Sequence, residues 1–62
     1  MIQSEFKTDG VIYSRGQAAY KYRAGDKVMI VNELNNDLVE VVVLEGEGEG
    51  LTMTVDISLL KL

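Results

Sequence analysis

The chain has 62 residues, ten of them acidic and six basic, for a formal net charge of −4, and it contains no His, Cys, Trp or Pro. This length allows one domain at most, which we assign to residues 1–62. Its core is so small that only its own packing or a partner chain can stabilise it. The composition excludes disulfides and metal sites built from Cys or His. With 47% hydrophobic residues, the chain is also too apolar for a disordered tail.

The N-terminal segment carries the first strand signals. Residues 2–8 have strand character, with Ile2 and Phe6 as the predicted inward-facing side chains. Asp9-Gly10 lies between short apolar runs, a pattern typical of a type I′ hairpin turn, because both central residues of that turn must tolerate positive φ. Arg15-Gly16 predicts the next turn.

Residues 17–22 are ambiguous. Ala18-Ala19 tolerates a helical turn, but six residues are too few for a stable helix. As a strand, the segment would place Tyr20 and Tyr22 on one face. The sequence leaves both alternatives open, and Ala24-Gly25-Asp26 then predicts a turn.

The C-terminal half has clearer patterns. Residues 27–33 (KVMIVNE) and 38–44 (LVEVVVL) are rich in β-branched side chains and predict two strands, joined by a turn at Asn35-Asn36-Asp37. GEGEG at 46–50 predicts a flexible connection. Residues 51–57 alternate apolar and polar side chains, the period-2 pattern of a half-buried strand. The last five residues predict a short 3₁₀ turn followed by a terminal strand.

The order of these elements defines the fold class. No segment has a sustained helical period, and five or six short strands at intervals of roughly 8–12 residues predict an all-β fold, a small antiparallel barrel. Closure of the barrel would protect the sheet edges, which a flat sheet of this size could not do.

The strand over 38–44 has two apolar faces. Val39, Val41 and Val43 are predicted to face the core. The outer face of a small barrel is normally polar, yet three of the four residues on the opposite face are apolar: Leu38, Glu40, Val42 and Leu44. Either strong curvature or the Leu-rich C-terminal segment covers this face, or it is an exposed patch that binds a partner or a second copy.

Three stretches together resemble the SH3-like small barrels, which include SH3, KOW and Tudor-type domains: YRAGDKVMIV (22–31), LVEVVVL (38–44) and LTMTVDISLLKL (51–62). In that superfamily a Gly-Asp turn leads into a strand, a central hairpin and a third strand follow, and a 3₁₀ segment precedes the last strand. The resemblance implies that Gly25-Asp26 is this turn and that the 3₁₀ segment lies at 56–60. An OB-like five-stranded barrel is the alternative.

A further likeness is narrower. AAYKY (18–22) resembles the ALYDY segment of eukaryotic SH3 domains, whose aromatic residues line a groove for proline-rich peptides. The chain has no Trp and no Pro, and the other aromatic residues of that groove are missing. The resemblance therefore implies no proline-rich peptide groove.

An aromatic and basic cluster is the first candidate site. The three tyrosines alternate with cations in one segment: Tyr13, Arg15, Tyr20, Lys21, Tyr22 and Arg23. Aromatic faces that stack bases and cations that follow phosphates would suit a single-stranded nucleic acid. The same residue types are favoured at protein interfaces. The plainest alternative is that the rings pack at the edge of the core with their hydroxyl groups in water.

The second candidate is an acidic loop, EGEGEG at 45–50, which carries Glu45, Glu47 and Glu49. Its spacing lacks the pattern of a calcium-binding loop, so no metal is predicted. A solvated loop that resists aggregation is one interpretation. The other is that the loop attracts a basic partner or mimics phosphate.

No catalytic residue is predicted. General acid–base and nucleophilic mechanisms need a tuned base beside a reactive group, and the chain has no His, no Cys and no phosphate-binding glycine motif. No cofactor is expected either. We predict that the protein is not an enzyme.

The sequence therefore predicts a protein-interaction or regulatory module, similar to the small free-standing domains among bacterial and phage accessory proteins. Its partner is another protein or a second copy. The predicted partner-binding residues are Tyr13, Tyr20, Tyr22, Arg23, Leu38, Val42 and Leu44, with the acidic loop steering a basic partner. The alternatives are a single-stranded nucleic-acid-binding module using residues 13–27, which the acidic charge disfavours, and a structural subunit of a homo-oligomer.

The predicted location is the cytoplasm. No apolar run approaches the roughly 18 residues of a membrane span, and MIQSEFK lacks the basic and apolar regions of a signal peptide. We also expect the chain, which starts at Met1, to be a complete small reading frame.

Overall fold

The computed structural model describes residues 1–14 and 17–61. Those residues form an all-β structure, which confirms the predicted fold class. The strands and a 3₁₀ turn follow in chain order: β1 (Ile2–Phe6), β2 (Gly10–Ser14), β3 (Gln17–Tyr22), β4 (Lys27–Glu33), β5 (Leu38–Val43), β6 (Thr52–Asp56), the 3₁₀ turn (Ile57–Leu59) and β7 (Leu60–Lys61).

Five of the strands form one antiparallel sheet in the order β6-β5-β4-β1-β7, and this sheet curls into a half-barrel. The other two, β2 and β3, pair as a separate hairpin. Residues 17–22 are therefore a strand, and the helical alternative is wrong. The predicted turn at Arg15-Gly16 lies outside the described residues.

The core lies on the concave side of the curled sheet. Phe6 stacks on Tyr22 with ring centroids 4.1 Å apart, and this contact joins the sheet to the hairpin. Such an offset pair adds to the apolar area that both rings bury. The remaining core side chains come from both sheets: Tyr20, Val28, Val39, Val41, Val43, Val55 and Leu60.

The predicted alternation of β5 is confirmed. Val39, Val41 and Val43 are buried with at most 1% of their surface exposed, while the residues between them are half-buried. Because successive side chains of a strand point to opposite faces, a slip of one residue would turn all three valines away from the core.

Local turn chemistry is also confirmed at three places. The Asn35 side chain accepts hydrogen bonds from the backbone N–H groups of Asp37 and Leu38, at 2.8 and 3.0 Å, and so closes the turn between β4 and β5. Gly25 has φ +92°, as the turn before β4 requires. The Asp56 carboxylate accepts from Ser58 N–H at 2.9 Å and caps the 3₁₀ turn.

The Asp9-Gly10 prediction is wrong. β1 does not pair with β2; it pairs with β4 and β7, so no hairpin connects the first two strands. The Asp9 carboxylate instead accepts from Ala24 N–H at 2.9 Å, which ties together the two ends of the long excursion between β1 and β4. A local turn signal was overridden by pairing between strands distant in sequence.

Ile2 is the second correction. It was predicted to face inward, but 63% of its surface is exposed. Its register partner is Ile30, at an end of the half-barrel where Ile2 stays largely exposed to solvent. Phe6, the other predicted anchor, is fully buried.

Candidate functional site

The convex side of the five-stranded sheet, here called the outer face, carries apolar residues. On β5 these are Leu38 and Val42, both half-buried. Leu44 follows on the same side by alternation and is 38% exposed. Met29 of β4 lies directly opposite Val42 in the strand register. We call these four residues the outer apolar patch.

The C-terminal segment does not cover this patch within residues 1–14 and 17–61. Leu60 points into the core and is 1% exposed, while Lys61 pairs with Glu5 across the sheet. Leu62 lies outside the described residues. The predicted cover by a Leu-rich tail is therefore not what the described part of the chain shows.

A small ion-pair network lies beside the patch. Lys27, which continues the pairing opposite Leu44, donates a 2.8 Å hydrogen bond to Glu5, and the Lys61 ammonium lies 3.6 Å from the same carboxylate. The hydrogen bond from Lys27 is the main reason that the pKa of Glu5 lies below its usual value and that of Lys27 above. Exposed pairs of this kind add little stability, so the network mainly sets the charge beside the patch.

The aromatic cluster is divided by the fold. Tyr20 and Tyr22 are only 5% and 7% exposed, so their ring faces present little surface to a partner or to nucleic-acid bases. Tyr22 stacks on Phe6, and Tyr20 packs against Gly48. This burial favours the alternative in which the rings pack with the core, which has a single Phe, and a role of the two tyrosines in partner binding stays a prediction. Tyr13 and Arg23 do lie at the surface, with Tyr13 67% exposed.

The acidic loop is folded against the hairpin. Residues 47–50 form consecutive turns rather than a loose connection. The Glu47 carboxylate accepts a hydrogen bond from Lys21 N–H at 2.9 Å, and that of Glu45 accepts from Lys27 N–H at 3.3 Å. Glu49 is exposed. Two of the three predicted loop carboxylates thus hold backbone groups in place, which is a structural use that the sequence did not indicate.

A groove of about 450 Å³ is lined by residues of both the hairpin and this loop. Its walls carry both signs of charge, from Asp9, Asp26 and Glu47 and from Lys21 and Arg23. Each of the three carboxylates accepts a hydrogen bond from a backbone N–H group, at 2.9 to 3.0 Å. The carboxylates of this groove therefore fasten the loops that form it.

A second, smaller groove lies at the opposite end of the half-barrel. Its volume is about 230 Å³ and its lining is apolar except for Glu33: Ile2, Ile30, Val39 and Ile57. The sequence did not predict it, because Ile2 was assigned to the core. Exposure of Ile2 could not be inferred without knowing which strands lie beside β1.

The Tyr20 hydroxyl is a buried polar group of the core. It is buried and has no hydrogen-bond partner among the residues described. Burial, with a smaller contribution from the nearby Asp26 charge, raises the pKa of Tyr20 to about 12.

This hydroxyl predicts an alkaline loss of stability. The folded state holds the Tyr20 proton more tightly than the unfolded chain, whose pKa is near 10.0. The contribution of Tyr20 to the free energy of unfolding should therefore be constant below pH 10 and should fall between pH 10 and 12.

Tyr20→Phe should remove this part of the pH dependence. It should also leave stability unchanged or raise it by up to about 1 kcal/mol, since it deletes an unpaired buried group. Urea unfolding at several pH values would test this, and an unchanged alkaline slope in the variant would contradict it.

Across 1–14 and 17–61, no three Asp or Glu residues lie together in a way that could hold a metal ion. In the same ranges, no helix has the length and apolar character needed to cross a membrane.

No protein-family model matches the chain, and comparison with curated proteins and with solved structures gives no significant match.

Proposed function

We propose that this chain is a cytoplasmic, non-enzymatic protein-interaction module that docks a partner protein on its outer apolar patch. The supporting observation is the pair formed by Val42 and Met29, which lie directly opposite each other on the convex side of the sheet. Among the described residues, neither of them is one of the partly buried hydrophobic side chains that pack against the core. An apolar patch on the convex face of a small half-barrel is the surface that a partner would bury.

We propose further that the fold belongs among the SH3-like barrels. Three features support this assignment. A long excursion with a hairpin separates β1 from β4, a turn at Gly25 leads into β4, and a 3₁₀ turn precedes the last strand. The strand order β6-β5-β4-β1-β7 joins the first and last strands, as a small barrel of this kind needs.

The charge distribution favours a basic partner. Residues 32–60 contain seven acidic residues and no Lys, Arg or His. Complementary charge would raise the rate of association more than the final affinity, and the effect would decrease as salt approaches physiological ionic strength. The acidic surface disfavours nucleic acid. The low exposure of Tyr20 and Tyr22, two of the three rings in the nucleic-acid alternative, also counts against it.

The test is Val42→Glu. We expect the variant to stay folded, because Val42 is only half-buried, and to lose its partner, because a carboxylate would be buried unpaired in the interface. The measurement is an affinity pull-down from host lysate, with and without nuclease, alongside circular dichroism of the purified variants. Asn36→Glu is the matched control, since it adds the same charge in the exposed β4–β5 turn.

Each outcome of this experiment has a definite meaning. A stoichiometric protein that survives nuclease, binds Asn36→Glu and is lost from Val42→Glu supports the proposal. Loss of all bound material after nuclease would favour nucleic acid instead. Recovery of the protein alone would favour a homo-oligomeric subunit. Unfolding of Val42→Glu would mean that the outer face belongs to the core.

A further inference from the structure

Strand β6 is an open edge of the five-stranded sheet. It pairs with β5 on one side, in a continuous register from Leu38↔Asp56 to Val42↔Thr52. On its other side, no backbone group of the described residues hydrogen-bonds to it. An edge of this type is a template for the addition of another strand.

The hydrogen-bond pattern shows which groups of β6 are free. Val43 N–H donates to the Leu51 carbonyl at 2.9 Å, and Ile57 N–H donates to the Asp37 carbonyl at 2.8 Å. In an antiparallel pair, hydrogen-bonded and non-hydrogen-bonded positions alternate. The odd-numbered residues of 51–57 therefore point their backbone groups at β5. Thr52, Thr54 and Asp56 point theirs away from the sheet.

β6 lacks the features that usually protect an edge strand. It has five residues, no Lys, no Pro and no bulge against β5. The opposite edge, β7, has two residues and carries Lys61. Short length and lysine are common protections against strand addition. The two edges of the sheet thus differ, and β6 is the one able to accept a partner.

The surroundings of β6 define the charge of that partner. Asp56 lies on the strand itself, and Glu40 lies opposite Thr54 on the neighbouring strand. The acidic loop precedes β6, and the whole of 32–60 has no basic residue. An incoming strand with Lys or Arg on its outer face would meet the Asp56 carboxylate directly, with Glu40 one strand further away and the acidic loop at the start of β6.

A second copy of the chain fits this edge less well. Two β6 strands paired antiparallel would bring Asp56 of each copy toward the acidic loop of the other. Like charges at both ends of the junction would oppose such a dimer.

We propose that β6 accepts an extended segment of a basic partner protein by antiparallel strand addition. The segment alternates apolar and basic residues. Its apolar side chains lie beside Met53 and Val55 on the inner face, and its Lys or Arg side chains lie beside Thr54 and Asp56 on the outer face. This edge adjoins the outer apolar patch, one strand away from Leu38 and Val42, but it binds through backbone groups of β6, so the inference goes beyond the function proposed above.

Thr54→Pro tests the proposal. The substitution removes the central free N–H donor and should be tolerated by the fold, because this N–H points away from β5 and proline is accepted on such edges. Thr54→Val is the matched control, since it loses the hydroxyl but keeps the N–H. The probe is a short capped peptide in which Lys and Val alternate. Two further probes replace Lys by Glu or carry N-methyl groups on alternate backbone amides.

We expect the Lys-Val peptide to bind the original chain and Thr54→Val equally, and Thr54→Pro at least tenfold more weakly. The Glu-Val and N-methylated peptides should bind at least tenfold more weakly than the Lys-Val peptide. Hydrogen exchange gives a second readout on the unmodified protein. The amides of Thr52, Thr54 and Asp56 should exchange fast in the free protein and slow when the peptide is bound, while those of Met53 and Val55 are slow in both.

Equal binding of the Lys-Val peptide to Thr54→Pro and to the original chain would overturn the proposal. Slow exchange of the Thr52, Thr54 and Asp56 amides in micromolar protein without peptide would also overturn it, because a second copy would then occupy the edge. Val42→Glu should still bind the Lys-Val peptide. Loss of binding at the outer apolar patch and loss of binding at the β6 edge are therefore measured separately.

Discussion

Phe6→Ala is expected to leave the chain largely unfolded at room temperature. Phe6 is fully buried and its ring stacks on Tyr22 at 4.1 Å, so its removal leaves a cavity where the sheet and the hairpin meet. Truncation of a buried Phe costs about 3–5 kcal/mol. A chain of this length has a total stability of roughly 3–9 kcal/mol by the usual value per residue, so the loss is of similar size to the whole.

Ile2→Ala is the matched control for this prediction. It truncates an apolar residue of the same strand, β1, at a position that is 63% exposed. Its effect on the free energy of unfolding should stay within about 1 kcal/mol, because little buried area is lost. Urea unfolding followed by circular dichroism compares the two variants. Equal losses from both would show that Ile2 is as buried as Phe6 and that the placement of β1 is wrong.

Gly48→Ala is expected to destabilise the protein by about 1–3 kcal/mol, the range seen for an extra methyl group in packed surroundings. A Cβ atom at Gly48 would lie 2.6 Å from the Tyr20 ring, far closer than two carbon atoms can approach. Tyr20 is itself buried, so its ring cannot swing into solvent without opening the core. The loop must therefore lift away from the hairpin.

Gly25→Ala separates this steric effect from backbone strain. Gly25 has positive φ, but nothing lies within 4 Å of the position its Cβ would take. Its replacement by Ala should cost about 1 kcal/mol of stability through backbone strain alone.

A double variant that adds Tyr20→Leu to Gly48→Ala should lose less stability than the sum of the two single changes. Strict additivity would mean that the two residues are not in contact.

These contacts give the acidic loop a structural role. The sequence suggested a solvated or partner-attracting segment, yet Glu47 and Glu45 accept hydrogen bonds from Lys21 and Lys27 N–H groups, and Gly48 is buried against a core tyrosine. Steering of a basic partner remains compatible with the charge of the loop. Replacement of its glycines, however, would report first on folding and only then on binding.

Patterns within a few residues of each other were enough to predict several elements of the fold. The three inward valines of β5 follow from alternation, because the side chains of a strand face opposite sides in turn. The turn at Asn35 and the 3₁₀ turn capped by Asp56 follow from side chains that bond to backbone groups two or three residues away. The all-β class follows from the same short-range patterns.

The candidate site was only partly predictable, because part of it depends on contacts between strands and not on local patterns. Leu38, Val42 and Leu44 could be assigned to the outer face by counting along one strand. Met29 could not, because its position opposite Val42 depends on the register between β4 and β5. The free N–H groups of β6 were also beyond the sequence, since their direction depends on which side of the strand β5 occupies.

The pairing of the strands and the burial of the aromatic rings depend on tertiary contacts and could not be predicted from local patterns. Asp9-Gly10 has a strong hairpin signal, yet β1 pairs with β4 and β7, whose contacts outweigh one local turn. Tyr20 and Tyr22 share a face in any strand, but whether that face meets water depends on the half-barrel beneath the hairpin. Patterns in a sequence report interactions between near neighbours, whereas pairing and burial depend on residues that are far apart along the chain.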